Sequence, residues 1–217
     1  MIQIKHRYTN AVLFESEAVD IRDCLLRALK SGSDLSGCDL SGSDLHGCDL
    51  SGCNLRGCNF SGCNLRGCNL SGCNLHGCDL SDCNLRGCNF SGCNFSGCDL
   101  SGSDLSGSDL VYFKTDFFYV LLRAQKEITG LREHLISGNV DGSFYQGECA
   151  CLLGTIANVR NCDYQAIGNG ISPNSSRPAE QWFMSIKKGD TPETNQISKI
   201  TVEWIDEFVG LLELAKS

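Results

Sequence analysis

The chain is short of positive charge, of proline and of long apolar runs. Its 217 residues carry 18 Lys and Arg against 26 Asp and Glu, a net charge of −8. An acidic surface does not grip phosphates, which excludes nucleic acid held through its backbone. The same sign excludes docking on an anionic membrane leaflet. No apolar run approaches the roughly 20 residues of a spanning helix. Met1 to Asn10 is polar and charged, with no apolar stretch before a small-residue cleavage site, so the expected compartment is the cytoplasm. Also missing are a Ser–His–Asp arrangement, a phosphate-gripping glycine loop and a zincin motif, so no enzyme is expected.

Against these absences stand 24 glycines and 16 cysteines, with only 3 prolines. In a secreted chain that many cysteines would read as a disulfide framework. In a reducing cytoplasm they point to free thiols or metal ligands.

From Ser31 to Leu110 the sequence runs through sixteen five-residue units without an insertion, beginning SGSDL SGCDL SGSDL HGCDL SGCNL RGCNF. The apolar centre is Leu in thirteen units and Phe in three, Phe60, Phe90 and Phe95. Two residues before it stands Cys in twelve units and Ser in four, and between them Asp or Asn, eight of each. Gly fills its position in every unit but one, where Asp82 replaces it. A period of five spreads the leucines around a helix, and a Gly per unit costs a helix about 1 kcal/mol each. One flat strand fails too, since an odd period swaps faces from unit to unit. The chain must instead turn at each unit, with Gly at the corner. The centre and the small residue two before it then share the inward face.

These units resemble the pentapeptide-repeat family, whose pattern is small–Asp/Asn–Leu/Phe–polar–Gly. The resemblance covers residues 31–110 and implies a right-handed, four-sided β-helix, a β-solenoid with four units and twenty residues per coil, and so about four coils. At a strand spacing of about 4.8 Å the rod would be on the order of 20 Å long. Open ends of a solenoid need caps. Residues 1–30 are expected to be the N-terminal cap: a hairpin around Thr9 and Asn10, then a helix from about Ser16 to Lys30. Residues 111–217 are expected to form a mainly helical C-terminal domain. Its helices would span Val111 to Leu135, broken near Gly130, then run from Pro178 to about Gly189, and from about Ser198 to Lys216. Two stretches there, GECACLLGTIANVR (147–160) and SRPAEQWFMSIKKGDTPE (176–193), are similar to C-terminal regions of other bacterial or phage pentapeptide-repeat proteins, a similarity that implies no activity.

A twenty-residue coil sorts the repeat cysteines into four columns: Cys38–Cys58–Cys78–Cys98, Cys48–Cys68–Cys88, Cys53–Cys73–Cys93, and Cys63–Cys83. Ser33, Ser43, Ser103 and Ser108 complete their ends. Sulfurs stacked about 4.8 Å apart nearly match the roughly 4.6 Å that a two-coordinate ion between two thiolates requires. Soft thiolates in a dry interior suit Cu(I), with Ag(I), Cd(II) and Zn(II) behind it, and uptake would release protons. The alternative is packing alone, because Cys is a small hydrophobe that is inert when buried and protonated. Twelve thiols are an oxidation liability that Ala would avoid, which favours the metal reading. Disulfides along a column fit the Cα spacing, but the compartment and the in-register side chains disfavour them.

The functional expectation is therefore a cytoplasmic soft-metal binder storing Cu(I). A scaffold with inert cysteines, engaging a protein partner through the C-terminal domain, is the alternative. A third reading comes from family members that protect DNA gyrase by imitating duplex DNA. The tract has the acidic sign for that, with nine Asp against three Arg, but four coils are short. On the outer face, His46 and His76 are one and a half coils apart and cannot form a paired site. Asn in the middle of the tract is expected to relieve repulsion between stacked Asp. Cys149, Cys151 and Cys162 with His134 make a weak zinc pattern, better read as burial in a small core.

Overall fold

The computed structural model describes residues 1–143, 151–168 and 170–215. The chain divides into two compact units, Met1–Leu110 and Val111–Ser217.

In the first unit, β1 (Ile2–His6) and β2 (Val12–Ser16) form an antiparallel hairpin whose turn places Asn10 at φ 56°. Helix α1 spans Ile21–Lys30. It starts later than the sequence suggests because Ser16 ends a strand and Asp20 caps the helix, its side chain accepting from the Asp23 N–H at 2.7 Å. The face it buries is Cys24, Leu25 and Ala28. β1 also pairs with β3 (Cys38–Asp39), so the hairpin is attached to the start of the repeat tract. Arg7 reinforces this join, donating through Nη1 to the Gly57 and Cys58 carbonyls at 3.1 and 3.3 Å.

The repeats form a solenoid of turns rather than of long strands. Each unit pairs in parallel with the unit twenty residues on, as in Asp39 with Asn59 and Asn59 with Asp79. The Leu40 N–H donates to the Asn59 carbonyl and the Asn59 N–H to the Cys38 carbonyl, both at 2.8 Å. At the corner between successive units the chain bends back, the Cys63 N–H meeting the Phe60 carbonyl at 2.9 Å. The corner demands a left-handed residue: Gly62 has φ 66°, and Asp82, the one substitute, adopts φ 55°. All sixteen centres are inward, from Leu35 at 1% exposed to Leu110 at 9%.

Asp and Asn stand beside the corners and do two jobs. Their side-chain oxygen accepts the N–H two residues on, as from Ser36 to Asp34 at 2.9 Å and Ser61 to Asn59 at 3.0 Å. Asn also donates to the unit one coil earlier, from Asn59 to Asp39 at 3.0 Å and Asn64 to Asp44 at 2.9 Å. Relief of repulsion thus explains only part of the central Asn run. The amide accepts across its own corner while donating to the coil before, which a carboxylate cannot do.

The second unit is helical: α2 (Val111–Arg123), a 3₁₀ turn at Gln125–Glu127, α3 (Ile128–Ile136), α4 (Leu152–Arg160), α5 (Pro178–Phe183) and α6 (Gln196–Leu214). The break comes at Ala124, not Gly130. Gly130 sits inside α3 facing Val159 of α4, where an added Cβ would come within 2.7 Å of that side chain. Pro178 begins α5 as expected. The helix ends at Phe183, well short of Gly189, with the Met184 N–H returning to the Glu180 carbonyl. Trp182 is the centre of the core, with ring centroids 5.0 Å from Trp204 and 5.5 Å from Phe113, and its Nε1 donates to Thr201 Oγ1 at 2.8 Å. Arg160 and Glu127 join α4 to the 3₁₀ turn through two 2.9 Å hydrogen bonds. Among the described residues no helix is long and apolar enough to cross a membrane.

Candidate functional site: the stacked thiols

All twelve repeat cysteines point inward. Eleven are at most 2% exposed, and Cys53, near the start of the tract, is intermediate. The twenty-residue pairing sets them in the expected columns. What the sequence did not disclose is where their protons go. From Cys58 onward each inward side chain donates to the carbonyl of an apolar centre 23 residues earlier. The Sγ–O distances are 2.9 Å for Cys63 to Leu40, 3.0 Å for Cys68 to Leu45, 2.8 Å for Cys73 to Leu50, and 2.9 Å for Cys78 to Leu55. The series continues with Cys83 to Phe60, Cys88 to Leu65 and Cys98 to Leu75 at 2.9 Å, and Cys93 to Leu70 at 2.5 Å. Ser103 and Ser108 fill the same slot with hydroxyls, donating to Leu80 and Leu85.

Each such carbonyl closes a corner and is already half used. Leu65 O, for example, accepts the Cys68 N–H at 3.0 Å and the Cys88 thiol at 2.9 Å. The inward position therefore calls for a small side chain with a proton to give. Cys and Ser meet that need and Ala does not, so packing does provide a reason to prefer cysteine over alanine, contrary to the sequence argument. The thiol fills more apolar volume than a hydroxyl.

Sulfur contacts with Cys38 and Cys93 lower Cys58 and Cys73, but burial favours the thiol at most other positions. Burial pushes Cys53, Cys63 and Cys88 up to about 11 and Cys83 up to about 12. Sulfurs of adjacent coils also lie against one another. Cys78 is raised by its contacts with Cys58 and Cys98 and then by burial, and Cys93 by its contact with Cys73 and then by burial.

The start of the tract differs. Counting back 23 residues from Cys38, Cys48 and Cys53 reaches Glu15, Leu25 and Lys30, which lie in β2 and α1 rather than in a repeat. Cys38 donates instead to the Cys58 sulfur at 3.1 Å, while Cys58 donates to the Leu35 carbonyl at 3.1 Å. Cys53 has a long contact of 3.8 Å with its own unit, at the Ser51 carbonyl. Cys48 is held low, at about 6, by the Cys68 thiol and then by the Arg22 guanidinium of α1.

Among the described residues no group of three or more His, Cys, Asp or Glu is gathered as a metal ion would need. The thiols touch their neighbours one above another along a column, as Cys58 does Cys38 and Cys78. His46 bonds to Asp44 of the preceding unit at 3.0 Å, on the exposed face. The weak zinc pattern does not assemble from what is described: His134 Nδ1 is on the Gly130 carbonyl of its own helix at 2.8 Å, and Cys151 is a buried helix cap. Cys149 lies outside the described residues.

The family model for pentapeptide repeats matches eight copies across residues 33–72 and 73–110. None of the curated proteins matches the sequence. Among solved structures the chain is similar to HetL, a pentapeptide repeat protein involved in heterocyst differentiation regulation in the cyanobacterium Nostoc. Identity is 33% over 36% of this chain and 39% of that one, with a TM-score of 0.21. A pentapeptide repeat protein of the Arabidopsis thaliana thylakoid lumen is 28% identical over 41% of this chain and 73% of its own, with a TM-score of 0.24. QnrB1, a plasmid-mediated fluoroquinolone resistance protein, is 27% identical over 33% of this chain and 43% of its own, with a TM-score of 0.15. The chain therefore spans well under half of HetL and of QnrB1. The tract that carries the stacked thiols, residues 33–110, consists of pentapeptide repeats.

Proposed function

We propose that this is a non-catalytic scaffold: a right-handed, four-sided solenoid of about four coils, working in a reducing cytoplasm, whose thiols are structural proton donors. The helical unit, residues 111–217, would engage a protein partner. One observation carries this reading: nine cysteines and two serines make the same bond to the same kind of carbonyl. A metal store would need those protons removed and those bonds given up.

The test replaces the nine carbonyl-bonded cysteines by serine and titrates both proteins, fully reduced, with Cu(I) against a competing chelator. The scaffold reading expects the variant to fold and neither protein to compete strongly for copper. Tight uptake of several equivalents by the native chain, absent from the variant, would overturn it.

Cu(I) binding remains a second reading, favoured by sulfurs of adjacent coils facing each other as at Cys38 and Cys58, whose 3.1 Å separation would open to roughly 4.6 Å to admit the ion. Two thiolates facing each other in a dry interior suit a d¹⁰ monovalent ion, and Ag(I), Cd(II) or Zn(II) would follow it. On that reading all twelve repeat cysteines serve as ligands, and uptake releases protons.

A further inference from the structure

The repeat thiols are not chemically equal. From Cys63 to Cys98 each proton is committed to a carbonyl of the preceding coil. Cys38 has no repeat coil before it, and its proton lies on another sulfur. The resulting Sγ–Sγ separation of 3.1 Å is within ordinary van der Waals contact, between two side chains that are both 0% exposed. The two residues sit on adjacent coils, the Asn59 N–H reaching the Cys38 carbonyl at 2.8 Å, which gives the backbone spacing of a bridgeable pair. A disulfide there would be neutral and would put no charge into the interior, unlike any metal thiolate. The pair is in register like the others of the columns; what sets it apart is that the Cys38 proton rests on the Cys58 sulfur and on no carbonyl.

We propose that Cys38 and Cys58 form an oxidation site, closing to a disulfide that fastens the first coil to the second where the N-terminal hairpin joins the tract. β1 pairs directly with Cys38 and Asp39, and Arg7 bonds to the Gly57 and Cys58 carbonyls, so the bridge lies beneath the attachment of the cap. The oxidant is a small peroxide able to reach a buried sulfur. One thiol loses its proton and its sulfur attacks a peroxide oxygen, forming a sulfenic acid and releasing hydroxide. The second sulfur, deprotonated, attacks the sulfenic sulfur and expels another hydroxide. The two protons released convert both hydroxides to water. Two thiols thus give up two protons and two electrons, and one hydrogen peroxide becomes two waters.

The sequence itself supplies the assay. Trypsin cuts after Lys30, Arg56, Arg66 and Arg86, so Cys38, Cys48 and Cys53 leave on the peptide 31–56, Cys58 and Cys63 on 57–66, and Cys68, Cys73, Cys78 and Cys83 on 67–86. The reduced full-length chain is exposed to limiting hydrogen peroxide, its remaining thiols are alkylated, and the digest is read by mass spectrometry. The expected first product joins 31–56 to 57–66, with fragment ions placing the link at Cys38 and Cys58. It is absent from Cys38→Ser, a change that Ser33 and Ser43 already tolerate in the same coil. A first link from 31–56 to 67–86 would instead place the reactive pair at Cys48 and Cys68 or at Cys53 and Cys73. That result, or oxidation spread evenly along the columns, overturns the proposal. Should Cys38→Ser fail to fold, the fragment assignment in the native chain still decides.

Discussion

Cys88 tests whether the thiol proton matters to the fold. It is 1% exposed and donates to the Leu65 carbonyl at 2.9 Å. Cys88→Ala removes a hydrogen bond worth about 1 kcal/mol net. It also removes apolar volume comparable to one methylene, about another 1 kcal/mol with the void it leaves. Leu65 O keeps its bond from the Cys68 N–H at 3.0 Å, so no buried acceptor is orphaned and the loss stays near 2 kcal/mol. Cys88→Ser sacrifices the sulfur but keeps the donor, in the geometry Ser108 already uses one coil on at 2.6 Å to Leu85. Its cost should be about 1 kcal/mol. Urea unfolding followed by circular dichroism therefore ranks native above Ser above Ala, with Ser and Ala about 1 kcal/mol apart. Cys53 is the control, since its carbonyl contact is 3.8 Å and Ser should bring no advantage over Ala there. Ala matching or exceeding Ser at position 88 would refute the claim that the slot selects for a proton donor.

Further outcomes follow from other contacts. Asn64→Asp exchanges a 2.9 Å donation to Asp44 for two facing carboxylates, and should cost about 1 kcal/mol at neutral pH, much of it recovered in high salt or below the carboxylate range. Burial raises Glu180 from 4.5 to about 7, an elevation moderated by the Cys151 thiol and Arg177 and added to by Asp116. A folded value above the unfolded one means stability present in acid and lost as pH rises from about 4.5 through about 7. The helical unit should thus lose up to about 3 kcal/mol across that window, while Glu180→Gln shows a flatter melting profile. Trp182→Phe leaves Thr201 without its 2.8 Å donor and should lower stability by about 1–2 kcal/mol in thermal melts.

The solenoid was readable because its constraint repeats. A left-handed corner every fifth residue and an inward face set by alternation leave one architecture, and sixteen units in register state it again and again. The columns followed from the period alone. The direction of each thiol proton did not, since the acceptor lies 23 residues away, on the coil before. One signal was available: Ser shares the inward slot with Cys, and the property common to both is a proton to donate rather than softness toward metal. The distinction of Cys38 depends on where β1, β2 and α1 replace a preceding coil, which no repeat pattern encodes. In the helical unit, Gly130 misled because a glycine within a helix can mark close packing, here against Val159, as readily as a break. Helix α4 went unseen in a segment dense with glycines, and Gly154, inside it, is fully buried.

The central claim is that the stacked thiols are protonated and hydrogen-bonded. Raman spectroscopy of the S–H stretch in the reduced, metal-free chain at neutral pH measures this directly. The account predicts a strong S–H band displaced to lower frequency than that of an unbonded thiol, diminished in proportion as carbonyl-bonded cysteines are changed to serine. An S–H band at the unbonded position, or one largely missing because the sulfurs are thiolates, would contradict it.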